Sequence, residues 1–303
     1  AAGSTGYVGL SAAKAGSLAG AVSVALASNT NGVTGLTGAN LTTQSLTVTG
    51  AAYDFAGASL AAASLALGNI RVGATTNLAV TNTLAANGNA AFQDKLAVAA
   101  TSANARLAFV NPADVAATAS GNVGVTAAAA GSLAGTVNLA LTSKALTGTG
   151  LADLSLAPQS FTVTGTAFDY ANAVVDTSAL SFGVLHVGAT AVARTVSVEN
   201  AVITAANRQD RLTAVGSSAL AGLTSTTVTD LAAGSSQNLT ITVDTATARS
   251  LAGNVSVALT STNTVSGLDA KSLTAATVAT TGLVYSGQSV WNTNGNGSWG
   301  TFA

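Results

Sequence analysis

The feature that most constrains this chain is a strand-like segment written three times. Ser17-Leu18-Ala19-Gly20 returns as Ser132-Leu133-Ala134-Gly135 and again as Ser250-Leu251-Ala252-Gly253, at steps of 115 and 118 residues. Each copy runs into an alternating series, Val22/Val24/Leu26, then Val137/Leu139/Leu141, then Val255/Val257/Leu259, with small or polar residues between. Alternation with period two belongs to a β-strand that lays one face on a core. Recurrence at a nearly fixed interval means that one supersecondary unit is being reused. Upstream of each copy sits a second alternating pair, Val8/Leu10, Val123/Val125 or Ile241/Val243, read here as strands hairpinned to the first set. Downstream, Leu46-Thr47-Val48-Thr49-Gly50 and Phe161-Thr162-Val163-Thr164-Gly165 close the same half-unit, with a degenerate third copy from Thr277 to Tyr285.

A different half-unit occurs twice. Leu65-Ala66-Leu67-Gly68 leads through Arg71-Val72-Gly73 to Leu78/Val80 and Asn82, then Gln93-Asp94-Lys95-Leu96. Its sister, Leu180-Ser181-Phe182-Gly183, leads through His186-Val187-Gly188 to Val196/Val198 and Asn200, then Gln209-Asp210-Arg211-Leu212. Short β-branched strands broken by turn residues about every 8–12 positions, in a unit of roughly 115 residues, predict an all-β chain of tandem immunoglobulin-like β-sandwich repeats. The Ala-rich runs at 58–67 and 127–134 carry helical propensity, but no apolar stripe of helical period persists through them.

Composition narrows the function. Only 7% of the 303 residues are charged and 48% are hydrophobic, with a net charge of −1, against about 25% charged in an average domain. Disorder needs the opposite balance, and ten scattered Lys and Arg build no basic patch for nucleic acid. The absence of cysteine removes disulfides and thiolate chemistry. No segment approaches the ~20 apolar residues of a membrane span. The opening Ala1-Ala2-Gly3-Ser4 carries no export signal pattern, so the chain reads as a mature protein or a piece of one.

Residues that could carry chemistry are few. His186 is the only histidine and sits at the position of Arg71 in the sister repeat, on the polar phase of its strand; this predicts an exposed strand residue, not a ligand or base. Glu199 is the only glutamate, and no close carboxylate pair suits a glycosidase. Tyr53-Asp54-Phe55 and Phe168-Asp169-Tyr170 recur where one repeat should hand over to the next. They are candidates for sugar stacking or calcium, weighed against aromatics that simply pack a hinge. A calcium ion takes six to eight oxygens and each place offers one acid, so no metal or other cofactor is expected. Trp291 and Trp299 in the tail are candidate stacking platforms or anchors for a docked terminal strand.

The pattern Leu-x-Phe-Gly-x-x-x-Val-Gly at 180–188, followed by alternating strands to Asn200, with its variant at 65–82, resembles the bacterial choice-of-anchor D repeats and, through them, the ASPM/Hydin type of immunoglobulin-like domain. The likeness spans about residues 1–288; Leu67 stands where the usual residue is Phe. The phase of that family implies an incomplete sandwich, the second half of a repeat, at residues 1–57, complete Ig-like sandwiches at 58–173 and 174–288, and an Asn/Gly/Trp tail at 289–303. The Trp291 to Trp299 tail resembles segments of autotransporter-associated and PEP-CTERM surface proteins. The resemblance implies export to the extracellular face or cell surface of a bacterium and a structural, non-enzymatic role. Together these readings predict a subunit or segment of a fibre, sheath or surface layer. The incomplete sandwich reads either as part of a longer array or as a half whose missing strands come from a neighbouring subunit; assembly with copies of itself, as a homopolymer, would proceed through β-strand complementation of it or by end-to-end packing. The alternative is an adhesin or glycan-binding module that takes a surface glycan.

Overall fold

The structure, a computed structural model, describes residues 5–287. It is all-β apart from two single-turn 3-10 helices, Ala90–Phe92 and Ala206–Arg208, among the described residues. The chain divides into two compact units. Unit 1 is the chain up to Gly68 with Gly73–Ala128 and Ser132–Thr166; unit 2 is Asn69–Val72, Ala129–Gly131 and the chain from Ala167 onwards.

Unit 1 opens with an antiparallel hairpin of β1 (Gly16–Val24) and β2 (Gln44–Ala52), which pair with each other over nine residues and with no other strand among the described residues. The sandwich that follows uses β3 (Gly57–Leu60), β4 (Ser64–Arg71), β5 (Thr75–Thr83), β6 (Lys95–Ser102), β7 (Leu107–Val110), β8 (Ser120–Ala127), β9 (Gly131–Ser132), β10 (Gly135–Lys144), β11 (Leu154–Ser155) and β12 (Gln159–Phe168). One sheet has the order β3-β5-β8-β7. In the other β10 carries β6 on one side and β12 on the other, and β12 carries β4. Alternate side chains of the two sheets close the core between them: Leu78, Val80, Val123 and Val125 from one, Leu96, Val137, Leu139 and Phe161 from the other, all buried.

Unit 2 repeats the plan with β13 (Ala173–Val175), β14 (Leu180–His186), β15 (Val192–Asn200), β16 (Arg211–Ser218), β17 (Leu223–Ser225), β18 (Thr227–Leu231), β19 (Ser235–Val243), β20 (Arg249–Ser250), β21 (Gly253–Thr262) and β22 (Lys271–Tyr285). Its sheets run β13-β15-β19-β17 and β14-β22-β21-β16-β18. Lettered by position these are A-B-E-D (β13-β15-β19-β17) facing A′-G-F-C (β14-β22-β21-β16) with β18 beyond C, the strand order of an immunoglobulin-like sandwich; in unit 1 the same letters fall on β3-β5-β8-β7 and β4-β12-β10-β6. The A′ strand runs parallel to the G strand, Leu180 opposite Thr280 through His186 opposite Tyr285, across a bulge between Ser181 and Val184.

Strand existence and the buried face follow the alternation; strand partners do not. The Val123/Val125 strand is not hairpinned to the Val137 strand, because β8 pairs β5 and β7 in the opposite sheet from β10. Likewise β19 pairs β15 and β17, away from β21. Val8 and Leu10 lie in irregular chain and are exposed. Alternation specifies which face is buried, and that face is the same whether the chain turns back within a sheet or crosses to the facing one.

Candidate functional site

The first candidate is the open hairpin. Its register repeats that of the F and G strands in unit 1: Gly20 faces Val48 and Val22 faces Leu46, as Gly135 faces Val163 and Val137 faces Phe161. The surroundings differ. Leu133 and Leu251 are fully buried, as are Phe161 and Val163, whereas the matching Leu18 and Val48 are half-buried and Leu46 is 53% exposed. A groove of about 410 Å³ lies over this face, lined by Leu10, Leu18, Val22 and Val48 among others.

Glycines record the same contrast. Gly165 of the G strand approaches the A′ strand so closely that a Cβ there would stand 2.7 Å from Gly68 O and 2.9 Å from Leu67 Cβ. In unit 2 the same place is Gly282, whose Cβ would stand 3.0 Å from Gly183 O. At Gly50, their counterpart in β2, a Cβ would meet nothing within 4 Å. Gly135 and Gly253 face a neighbouring loop, and their counterpart Gly20 again faces open space.

The second candidate is a buried polar cluster built twice. In unit 1, Asn82 Nδ2 donates to the carbonyls of Asp94 and Val115, each at 3.0 Å, and Gln93 Nε2 donates to Asn82 Oδ1 at 2.8 Å. Ser143 Oγ accepts from Ala56 N at 2.9 Å and donates to Asp94 Oδ2 at 2.8 Å. In unit 2, Asn200 Nδ2 donates to the carbonyls of Asp210 and Leu231, Gln209 Nε2 to Asn200 Oδ1, and Ser261 Oγ accepts from Ala171 N. All eight side chains are buried. Polar groups removed from water must find partners inside the protein, and here they tie the end of the B strand, the start of the C strand and the F strand together. The sequence shows these residues as landmarks of the repeat. It does not show their chemistry, because polarity in a strand pattern ordinarily signals exposure.

The recurrent aromatic triplets lie against this cluster. Tyr53 packs on Phe92 at 5.4 Å between centroids. Asp54 is half-buried, its N–H donating to Phe92 O while its carbonyl accepts from Asp94 N; Phe55 is 57% exposed. In unit 2, Phe168 and Asp169 are buried. Asp169 makes the matching pair of backbone bonds with Arg208 and Asp210. Tyr170 lies beneath two cations, Arg71 at 4.2 Å and Lys271 at 4.4 Å from its ring centroid. Trp291 and Trp299 lie outside the described residues. His186 is exposed and meets Tyr285 edge-on at 5.8 Å. Among the described residues no three metal-ligating side chains come together, and no helix is long and apolar enough to cross a membrane.

Arg71 stands in the sequence as an ordinary strand position, yet within unit 2 it is largely withdrawn from water and bonded on several sides. Its Nη2 lies 2.6 Å from Asp210 Oδ2 and donates to Asp269 O at 3.1 Å. Nη1 donates to Asp169 O at 3.4 Å. Asp210 Oδ1 accepts from Ser266 N at 3.2 Å. Two buried carboxylate oxygens find no hydrogen-bond partner among the described residues: Asp94 Oδ1 and Asp169 Oδ2.

No family model matches the chain, and no curated protein matches it. Solved structures overlap it loosely. A protein of unknown function from Porphyromonas gingivalis W83 is 13% identical, with 75% of this chain and 99% of that one covered at a TM-score of 0.26. Domains 4–9 of the surface layer protein SbsC are 14% identical over 80% and 33%, at 0.25. The adhesin InvE of Yersinia pseudotuberculosis is 12% identical over 75% and 60%, at 0.23.

Proposed function

We propose that this chain is a non-enzymatic structural protein of the bacterial cell surface, built from choice-of-anchor D-like repeats, in which residues 1–57 are the second half of a repeat completed by strands from beyond the described residues. The observation that carries the reading is the hairpin β1–β2. It keeps the apolar face, the register and the glycines of a sandwich's F and G strands, but its Leu46 is 53% exposed where Phe161 is buried. Gly50 is the sharpest detail. A glycine is required in its counterparts because another strand's backbone lies against them, and at Gly50 that requirement has no source within the described residues. An open strand edge beside an apolar face is a template for β-augmentation. The low charge, 7% of residues, keeps repulsion between neighbouring subunits small.

The test is the assembly state of the intact chain. Sedimentation and electron microscopy are expected to find concentration-dependent polymers, and Leu46→Lys is expected to yield monomers whose circular dichroism is unchanged. A wild-type chain that stays monomeric at every concentration would overturn homopolymer assembly. Adhesion through stacked aromatics has less support, since Tyr53 and Phe168 are engaged in packing and Phe55 alone of the described triplet residues presents a largely exposed ring.

A further inference from the structure

The two copies of the polar cluster differ at one buried oxygen. Asp210 and Asp94 occupy the same place, each following the glutamine that bonds the strand-ending asparagine, and each accepting from a serine of the F strand. Asp210 is then completed by Ser266 N on Oδ1 and by the Arg71 guanidinium on Oδ2. Asp94 is 3% exposed, and its Oδ1 has no partner among the described residues. A carboxylate with an unmet oxygen in the interior is costly unless a cation or donor reaches it.

We propose that Asp94 is the receiving half of an ion pair whose arginine arrives on a strand from outside unit 1. The partner is an extended segment of A′ type that lies parallel along the free edge of β2, as β14 lies along β22, with a guanidinium where Arg71 stands. This rests on the reading that β2 accepts a strand, and it adds the chemistry by which the right strand is recognised. Three observations specify that chemistry. Phe55, 57% exposed, stands at the place of Tyr170, whose ring lies under the Arg71 guanidinium in unit 2. Unit 1 supplies no cation where Lys271 stands, because Leu154 takes that register opposite Ser143 as Lys271 does opposite Ser261. The neighbouring Lys144 is committed to Asp153 at 2.7 Å. Arginine suits the place better than lysine, since in unit 2 one planar group bonds a carboxylate and two carbonyls while lying over a ring, which a compact ammonium does not do.

The experiment titrates the intact chain with a capped synthetic peptide of residues 64–75, its own A′ segment, and with the same peptide carrying R71A or R71K. The native peptide is expected to bind, and both variants to bind at least tenfold more weakly. Asp94→Asn in the protein is expected to remove the difference between peptides. Equal binding of all three peptides to the wild-type protein overturns the ion pair while leaving strand addition standing. Failure of every peptide to bind overturns strand addition, and the ion pair with it. The comparison among peptides uses an unaltered protein, so the ion pair stands or falls on it even if Asp94→Asn fails to fold.

Discussion

The hairpin β1–β2 and the β10–β12 pair are nearly the same sentence in two contexts. They share register, alternation and glycine positions, yet one pair lies in a closed sandwich and the other has a half-exposed apolar face. The difference teaches that local sequence dictates the pairing of these two strands, while burial is conferred by strands far away in the chain. A sheet face becomes a core only when a second sheet covers it.

The comparison breaks most visibly at the apolar positions. Leu133→Ala is expected to cost about 2–5 kcal/mol, as large-to-small changes in closed cores do, whereas Leu18→Ala at the matching place should cost less than about 1 kcal/mol because that side chain is already half in water. Urea titration of both variants, at concentrations that keep the chain monomeric, checks this, and equal losses would mean that the hairpin is covered within the monomer. The glycines come next. Gly165→Val forces a Cβ against Gly68 O and Leu67 and should cost about 1–3 kcal/mol. Gly50→Val should leave thermal stability within about 0.5 kcal/mol and abolish self-association in sedimentation.

A finer contrast lies in the polar cluster. Ser261→Ala leaves Asp210 with Arg71 and Ser266, but Ser143→Ala takes from Asp94 its only side-chain donor among the described residues. Both changes should cost about 1–3 kcal/mol, with Ser143→Ala the more damaging in parallel melts. The smallest effect is expected at the surface. The Lys144 ammonium holds the Asp153 carboxyl below its usual range, helped by the Ala145 N–H, and the carboxylate in turn raises Lys144. The Asp153 contribution is therefore present above the ordinary carboxyl pKa and lost as pH falls through the depressed folded value. Asp153→Asn should flatten that acid limb slightly and be indistinguishable from wild type at high salt.

Much of the fold is legible because alternation and repetition are written residue by residue: Val22/Val24, Val137/Leu139 and Val255/Val257 announce strands and their inward faces. Partner choice is not, as the Val123/Val125 strand shows by lying in the sheet opposite the expected one. The polar cluster escapes for a different reason. Asn82, Gln93 and Asp94 recur in plain view, but their burial depends on the other sheet and the F-strand serine, whose place only the folded chain reveals. Arg71 is hidden by its own alignment with His186, since the sister position is solvent-facing and the two side chains share a strand phase but not surroundings.

The parallel pairing of β14 with β22 has a kinetic consequence. Leu180 and Thr280 are neighbours in the sheet though a hundred positions apart in the chain, so no short turn can bring them together. During synthesis the A′ strand emerges early and must wait, with one edge bare, until nearly the whole unit has been made. Folding of each unit is thus completed by its most distant contact, the slow step expected where non-local pairings dominate, and any ready-made edge of the same kind nearby competes for that strand in the meantime.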